Sequence, residues 1–445
     1  MSLDPSTFAT LVPSRYITFT LPYHQDHHLQ ISVLDSLSAD AASSSTAAMW
    51  VPHGRECDWI FSTFSGHLQL LLSCPTTHPL SRLILIGNLP SYSHPTSYNS
   101  TLYPSSSTPL RQNLAPLLSA LAPKLDGEIH EVPVLIYEDE VVKSSILEIC
   151  EGPCVGQLLI ENVELEYDGV KEFRRRLRFK RTPNFVQTQM RIYPKNGYKL
   201  ENLDDMEFEL DKGVLVQPYL SPMVAGISAI SQFLEGRIRP KALCLGVGGG
   251  ALLGFLNAHL NFEVVGVEED EVVIEVAKKY FGLENDELVH LFAEDGIEYV
   301  QNFAKNVSEE SMFDVIMVDL DSSDVALGVC APPVQFVRKS VLMAVREVLC
   351  EEGVVVINTI PSSKLFYERL ICEIKDVFEE LYEIDVGNGE NFVLIATQLK
   401  VGNVSDANDG VFLNKLKQVV SRSYIESIRK ISKTADVQAS YFMRG

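Results

Sequence analysis

From residue 223 to residue 400 the chain alternates between two hydrophobic rhythms. Apolar residues recur three and four positions apart in some stretches and form short unbroken runs in others, the marks of amphipathic helices and buried strands. The spacing predicts helices over Met223 to Leu234, Ala251 to Leu260, Asp270 to Phe281, Val337 to Leu349 and Ser363 to Phe378. Between them it predicts strands over Ala242 to Val247, Phe262 to Glu268, Leu288 to Phe292, Phe313 to Asp319, Gly353 to Thr359 and, last, Asn391 to Thr397. Strands that alternate with helices of this length build an α/β fold with a doubly wound, mostly parallel sheet, whose ligands lie at the carboxyl ends of the strands.

The first 170 residues have a different texture. Short strand patterns occur at Arg82 to Gly87, Val132 to Tyr137, Leu158 to Leu165 and Arg174 to Lys180, and Trp59 to Leu72 reads as helix. A Ser/Pro/Tyr/Thr-rich stretch from Ile84 to Pro109 ends as a loop by composition. There is no internal repeat and no second glycine cradle, so residues 1–170 are expected to form an accessory mixed α+β domain ahead of a catalytic domain at 223–400. Residues 401–445 form a tail in which Phe412 to Tyr441 is amphipathic, suited to a terminal helix or a partner surface.

Composition narrows the class. No apolar run reaches the ~20 residues that span a bilayer, and Met1-Ser2-Leu3-Asp4-Pro5 lacks the basic and apolar regions of a signal peptide, so a cytoplasmic location is expected, with the nucleus as the alternative. Eight cysteines spread over 445 residues make no disulfide framework. Cys244, Cys350 and Cys372 lie in apolar surroundings and read as reduced core thiols. A net charge of −22 argues against a nucleic-acid partner and for a basic protein or a cationic small molecule. Against that trend, Phe173 to Arg181 places Arg176, Arg178 and Lys180 on one strand face, read as a solvated or acid-paired face with RNA contact as the alternative. His24-Gln25-Asp26-His27-His28 lacks a partner cluster and Cys150 to Cys154 lacks a second pair, so no metal is expected.

The chemistry concentrates where strands end. Gly246-Val247-Gly248-Gly249-Gly250 follows an apolar strand and opens a helix, a turn that requires positive φ and close ligand approach. Glu268 ends the next strand, about 20 residues on, where a carboxylate can accept ribose hydroxyls. Asp295, followed by Gly296, comes after the third strand and can take an adenine amino group; Asp319 and Asp321 follow the fourth and project over the cleft. A dinucleotide reading fits the glycines as well, but it requires a second mononucleotide half and a hydride-transfer dyad that the chain does not show. The bland alternative makes the acids surface loop residues and the glycines a tight connection.

At these residues the chain resembles the class I S-adenosylmethionine-dependent methyltransferases, in their spermidine-synthase-like branch. Two features carry the branch: Cys244 stands where an acid is usual before the glycines, and Asp321-Ser322-Ser323-Asp324 is similar to a motif of polyamine synthases. Residues 171–222 look like that branch's hairpin lead-in, with Gln187 as a cofactor contact. Closer still is the resemblance to the carboxyl-terminal half of the methyltransferases that modify translation elongation factor 1-alpha, through Pro52 to Trp59, Phe173 to Gln187 and Asp314 to Pro333. That half methylates the factor's α-amino terminus, whereas the lysine-directed amino-terminal half of the family lies outside the match. The resemblance thus implies a Rossmann-like sheet, S-adenosylmethionine, a protein amine substrate and a cytoplasmic setting. Homodimerisation, common in the polyamine branch, is left open. It also implies Gly246, Gly248, Gly250, Glu268, Asp295, Gly296 and Gln187 as cofactor-binding residues, with Asp319, then Asp321, as the catalytic carboxylate. The rivals are aminopropyl transfer, although Val325 rather than proline follows Asp324, and a cofactor-binding scaffold without turnover.

Overall fold

The computed structural model describes residues 5–24, 27–37, 45–74, 79–89, 97–100, 108–124, 131–195, 202–322, 330–401 and 410–431. Asp324, most of the loop from Ser322 to Pro333 and the end of the amphipathic tail lie outside these residues. The chain divides into two compact units: Met1–Ile149 with Gln157–Val186 and Pro194–Phe208, and Cys150–Gly156 with Gln187–Tyr193 and Glu209–Gly445.

In the first unit a five-stranded mixed sheet comprises β1 (Tyr16–His24), β2 (His27–Asp35), β3 (Ser45–Trp50), β4 (Leu80–Asn88) and a short strand introduced below as β6, in the order β1-β2-β4-β3-β6. β3 and β4 run parallel, joined through α1 (Trp59–Ser62) and α2 (Phe64–Ser73). The single helix expected over Trp59 to Leu72 is thus two, because the Thr63 side chain caps the second by accepting from Gly66 N. β5 (Ser97–Asn99), α3 (Thr108–Leu121) and β6 (Val134–Ile136) follow. Ile31, Val33, Ile84 and Ile86 form the core with Leu114 and Leu118 of α3. Within it Arg82 is 0% exposed, its guanidinium donating to Asp35 and to the carbonyls of Phe8 and Leu121. A buried cation is tolerable only with every donor used in this way.

Three longer strands follow: β7 (Val141–Gly152), β8 (Gly156–Tyr167) and β9 (Val170–Phe179), all in this unit except Cys150–Gly152 of β7 and Gly156 of β8, which belong to the second. β8 and β9 form an antiparallel hairpin with Tyr167 opposite Val170. The two turn residues, Asp168 and Gly169, both have positive φ, which is the turn that an Asp-Gly pair favours. The arginine-rich strand face departs from a solvated one: Arg178 is buried and pairs with Glu161 on β8 and with Asp58. For Arg178 the acid-paired reading holds, because Glu161 on the neighbouring strand and Asp58 ahead of α1 supply the counter-charges.

The second unit starts with β10 (Val186–Pro194) and β11 (Phe208–Leu210). Where one helix is expected over Met223 to Leu234, α4 (Leu220–Gly226), a 3₁₀ turn (Ile227–Ile230) and α5 (Ser231–Leu234) follow one another. Gly226 lies so close to the sheet that a Cβ there would meet Ile395 and Val356 at 3.1 Å. Then come β12 (Lys241–Leu245), α6 (Ala251–Leu260), β13 (Glu263–Glu268), α7 (Glu271–Phe281), β14 (Val289–Ala293), α8 (Gly296–Ala304) and β15 (Phe313–Val318). They are followed by α9 (Lys339–Val348), β16 (Leu349–Thr359), α10 (Lys364–Lys375), β17 (Glu380–Asp385), β18 (Phe392–Thr397), α11 (Val411–Val419), α12 (Arg422–Glu426) and β19 (Arg429–Lys430).

The eight-stranded sheet has the order β14-β13-β12-β15-β16-β18-β17-β19. It is parallel from β14 to β16 and antiparallel beyond. The α/β, mostly parallel architecture expected from the alternation is therefore present. The strand order reverses between β12 and β15, and their carboxyl ends form the crevice where such sheets bind ligands. Two apolar layers, one containing Cys244, Val264 and Val356 and the other Leu243, Ile316 and Leu370, cover the sheet's two faces. Two cysteines differ from expectation: Cys350 is half-buried and Cys372 is exposed, because the apolar stripe of α10 runs through Tyr367, Leu370, Ile371 and Ile374.

Candidate active site

Gly246, Gly248 and Gly250 all have positive φ, at 85°, 52° and 80°. A Cβ on Gly246 would stand 2.2 Å from the carbonyl oxygen of Asp319, so the loops after β12 and β15 touch backbone to backbone. Gly250 is the N-cap of α6, which starts directly behind the loop. Gly249 N donates to the Thr188 hydroxyl at 2.7 Å, fixing the turn from the β10 side.

Glu268 is half-buried at the end of β13. Its Oε2 accepts from Val247 N at 3.0 Å and Gly248 N at 3.1 Å, so one oxygen is committed to the glycine loop. Burial pushes its carboxyl above the ordinary range, against the lowering effect of the backbone bonds from Val247, Gly248 and Asp270. Asp295 caps α8: its Oδ1 accepts from Ile297 N at 2.7 Å and Glu298 N at 2.9 Å, and Gly296 is the helix's first residue. Sequence spacing did not identify this short helix, although an aspartate followed by glycine and an amphipathic stretch is its start signal.

Asp319 and Asp321 both lie half-buried beyond β15. Asp319 Oδ1 accepts from Asn358 Nδ2 at 2.9 Å, and its Oδ2 accepts from the Tyr219 hydroxyl at 3.1 Å. Asp321 Oδ2 accepts from Gln187 Nε2 at 3.2 Å. Gln217 Nε2 reaches both the Gln187 carbonyl and the Tyr219 hydroxyl, at 3.1 and 3.2 Å, and so ties the two carboxylates into one network. Burial pushes the Asp319 carboxyl up to about 6, opposed by the bonds from Asn358 and Tyr219 and assisted by the charge of Asp321. The Tyr219 hydroxyl is raised well above its usual value by burial and then by Asp319, so it stays a donor.

The structure thus brings Gly246, Gly248, Gly250 and Glu268 together at one loop, and Gln187, Asp319 and Asp321 together in one network. It adds Thr188, Gln217, Tyr219 and Asn358, which sequence reasoning missed. Asn358 had a readable signal, a polar residue closing the apolar run Val354 to Ile357, as Asp319 closes Val315 to Val318. Tyr219 and Gln217 had none, since they precede the first helix in a stretch without periodicity. Among the described residues no group of three or more His, Cys, Asp and Glu is placed to hold a metal ion.

Residues 228–387 match the spermine/spermidine synthase domain. The match begins in the 3₁₀ turn after α4 and ends in the turn after β17, so the glycine loop, the acids and Asn358 all fall within the matched residues. Beyond it, the chain is 27% identical over 360 residues to an eEF1A lysine and N-terminal methyltransferase homolog of Drosophila pseudoobscura pseudoobscura, covering 80% of this chain and 49% of that protein. It is 26% identical over 372 residues to the human eEF1A lysine and N-terminal methyltransferase, covering 79% and 51%. The chain therefore spans about half the length of the curated relatives it matches. A crystal structure of human methyltransferase-like protein 13 in complex with SAH superimposes with a TM-score of 0.41 at 27% identity, covering 47% of this chain and 92% of that one.

Proposed function

We propose that this chain is an S-adenosylmethionine-dependent methyltransferase acting on a protein amine, the α-amino terminus of translation elongation factor 1-alpha. The observation that carries the proposal is the likeness to eEF1A methyltransferases over about four-fifths of the chain, with a carboxylate pair beside a glycine cradle. The residues fit the cofactor: the loop at Gly246, Gly248 and Gly250 has positive φ and no room for a Cβ at Gly246. In this reading Glu268, with Oε2 fixed to the loop, receives the ribose through Oε1, and Asp295 with Gly296 faces the adenine. Gln187 joins the same group through Asp321. The cofactor when bound supplies an electrophilic methyl on a sulfonium.

The chain's own residues have to align the amine and handle its proton, since such a displacement needs position more than a strong base. An α-amine titrates near ~7.7–8.0 and is mostly cationic below that. Asp319 and Asp321 attract the ammonium. Asp319, at about 6, is ionised at neutral pH yet close enough to the amine to take up its proton and pass it to water. Asn358 and Tyr219 keep both of its oxygens in place while this happens. Asp319 is our first choice as the catalytic carboxylate and Asp321 the second.

Aminopropyl transfer is a second reading, favoured by the synthase-type domain over residues 228–387. Calorimetric titration with S-adenosylmethionine and, in parallel, its decarboxylated analogue separates the two. Preference for the carboxylated form, followed by mass gain on the amino-terminal peptide of elongation factor 1-alpha, is the expected result. Preference for the decarboxylated form moves the reading to polyamine synthesis, and binding of neither removes the cofactor assignment. No described helix is long and apolar enough to cross a membrane, and a cytoplasmic setting is part of the proposal.

A further inference from the structure

Asp319 is held from behind by something longer than one residue. Asn358 is 2% exposed at the end of β16, and its Oδ1 accepts from Asn391 Nδ2 at 2.9 Å. Asn391 is 4% exposed just before β18, and its Oδ1 accepts from Asn388 Nδ2 at 2.8 Å. Asn388 lies in the exposed turn between β17 and β18.

The direction of every bond in this row follows from its ends. Backbone N–H groups can only donate, and those of Glu390 and Asn391 point at the Asn388 side-chain oxygen at 3.1 and 2.9 Å. The Asn388 amide nitrogen must therefore face Asn391, the Asn391 nitrogen must face Asn358, and the Asn358 nitrogen must face Asp319. At the other end an ionised carboxylate can only accept, which demands the same polarity. Three amides in a row, all donating toward one anion, polarise one another and strengthen the last bond. Asn358, a side-chain amide whose two ends are nearly alike in shape, is thus given a single orientation by the carboxylate on one side and, through Asn391, by the turn at Asn388 on the other.

We propose that Asn358 is a positioning residue for Asp319, and that Asn391 and Asn388 set its orientation through a one-way relay of side-chain amides running from the β17–β18 turn to the site. The proposal rests on the reading of Asp319 as the acceptor-side carboxylate, but the relay itself is a property of the fold. The other groups facing Asp319 are Tyr219 from the start of α4, Cys244 on β12 and Asp321 on its own loop. None of them is in contact with Asn388 or Asn391 among the bonds described above, so a change at either asparagine reaches Asp319 through Asn358.

The test is carbon-13 NMR titration of the Asp319 carboxyl in the full chain labelled at aspartate Cγ, with Asp319→Asn used to assign the resonance. Asn391→Leu keeps the size and adds no charge while removing the amide; the Asn358 bond to Asp319 is weakened rather than lost, so the Asp319 midpoint is expected to rise by about a few tenths of a pH unit. Asn388→Ala, in the exposed turn and so tolerated by the fold, is expected to move it the same way by less. The acid limb of kcat/KM for the methylation of an amino-terminal peptide should move with the NMR midpoint. An unchanged midpoint in both variants overturns the relay. A shifted midpoint in a protein that transfers no methyl group upholds the relay and rejects the functional reading instead.

Discussion

At the residue scale the site is defined by two demands that oppose each other. In the proposed reading Asp319 has to be ionised to attract an amine, yet burial raises it to about 6. A raised carboxylate contributes stability that is fully present below its unfolded value of ~3.9 and is lost as pH rises through about 6. Asp319→Asn is therefore expected to raise the melting temperature at pH 8 and to show little gain at pH 3.5, while methyl transfer falls by about 10²- to 10⁴-fold. Scanning calorimetry at the two pH values, with a methyl-transfer assay at pH 8, checks both signs, and a destabilised variant at pH 8 would contradict the account. Gly246→Ala adds a left-handed penalty of about 1–2 kcal/mol to a clash with the Asp319 carbonyl. Denaturant unfolding should show at least that loss, together with loss of cofactor binding. Both residues were legible in the sequence because each directly follows an apolar strand. Tyr219, which donates to Asp319, and Gln217, which donates to Tyr219, were not, because an isolated polar residue in an aperiodic stretch carries no pattern to read.

At the element scale, what positions the site is a set of caps and pairs between segments distant in sequence. Asp270 is 0% exposed: it caps α7 through Val272 N, and its other oxygen accepts from Cys154 N and Val155 N at 2.8 and 2.9 Å. Asp270→Ala leaves three donors without this acceptor and is expected to cost about 3 kcal/mol in urea unfolding. In the first unit, burial pushes the Asp58 carboxyl up, but Arg178 and Arg55 outweigh it and hold it well below the usual carboxylate range. That stabilisation is present above the unfolded value and is lost as pH falls through and below ~4. Asp58→Ala, which leaves Arg178 with Glu161 and Arg55 with Asp139 but removes the acid between them, is expected to cost about 1.5–3 kcal/mol. Urea midpoints at pH 7 measure it, and a loss under about 1 kcal/mol would show that Glu161 and Asp139 suffice as counter-charges.

The sequence pattern located every parallel strand of the second unit to within a few residues; β12, β15 and β16 read as continuous apolar runs because they are buried on both faces, and the edge strand β14 is partly exposed. It missed β17, where Glu380, Glu383 and Asp385 interrupt the run. Glu380 is buried beside Lys430 and Tyr382, and Glu383 beside Tyr367, so partners from distant segments make an acidic strand tolerable. It also missed β1, β2, β3, β5 and β7 in the first unit, although in β1 Ile17, Phe19, Leu21 and Tyr23 alternate with Thr18, Thr20 and Pro22.

At the scale of the whole molecule, a net charge of −22 favours a cationic partner, in keeping with an amine acceptor. The association rate of a basic acceptor protein is expected to fall about tenfold or more between low and physiological salt, while binding of the cofactor changes much less. Stopped-flow measurements over a salt series decide this, and a flat dependence would remove charge steering from the account.

The placement of β18 also bears on the order in which the protein can become competent during synthesis. β18 lies between β16 and β17 in the sheet, although it follows both in the chain. The glycine loop and Glu268 leave the ribosome more than a hundred residues before Asn391 does, as their positions show. A nascent chain can thus shape the cradle early, but the last amide that orients Asp319 arrives only when a late strand is inserted beside one already folded. We expect the growing polypeptide to be able to hold its cofactor before it can use it.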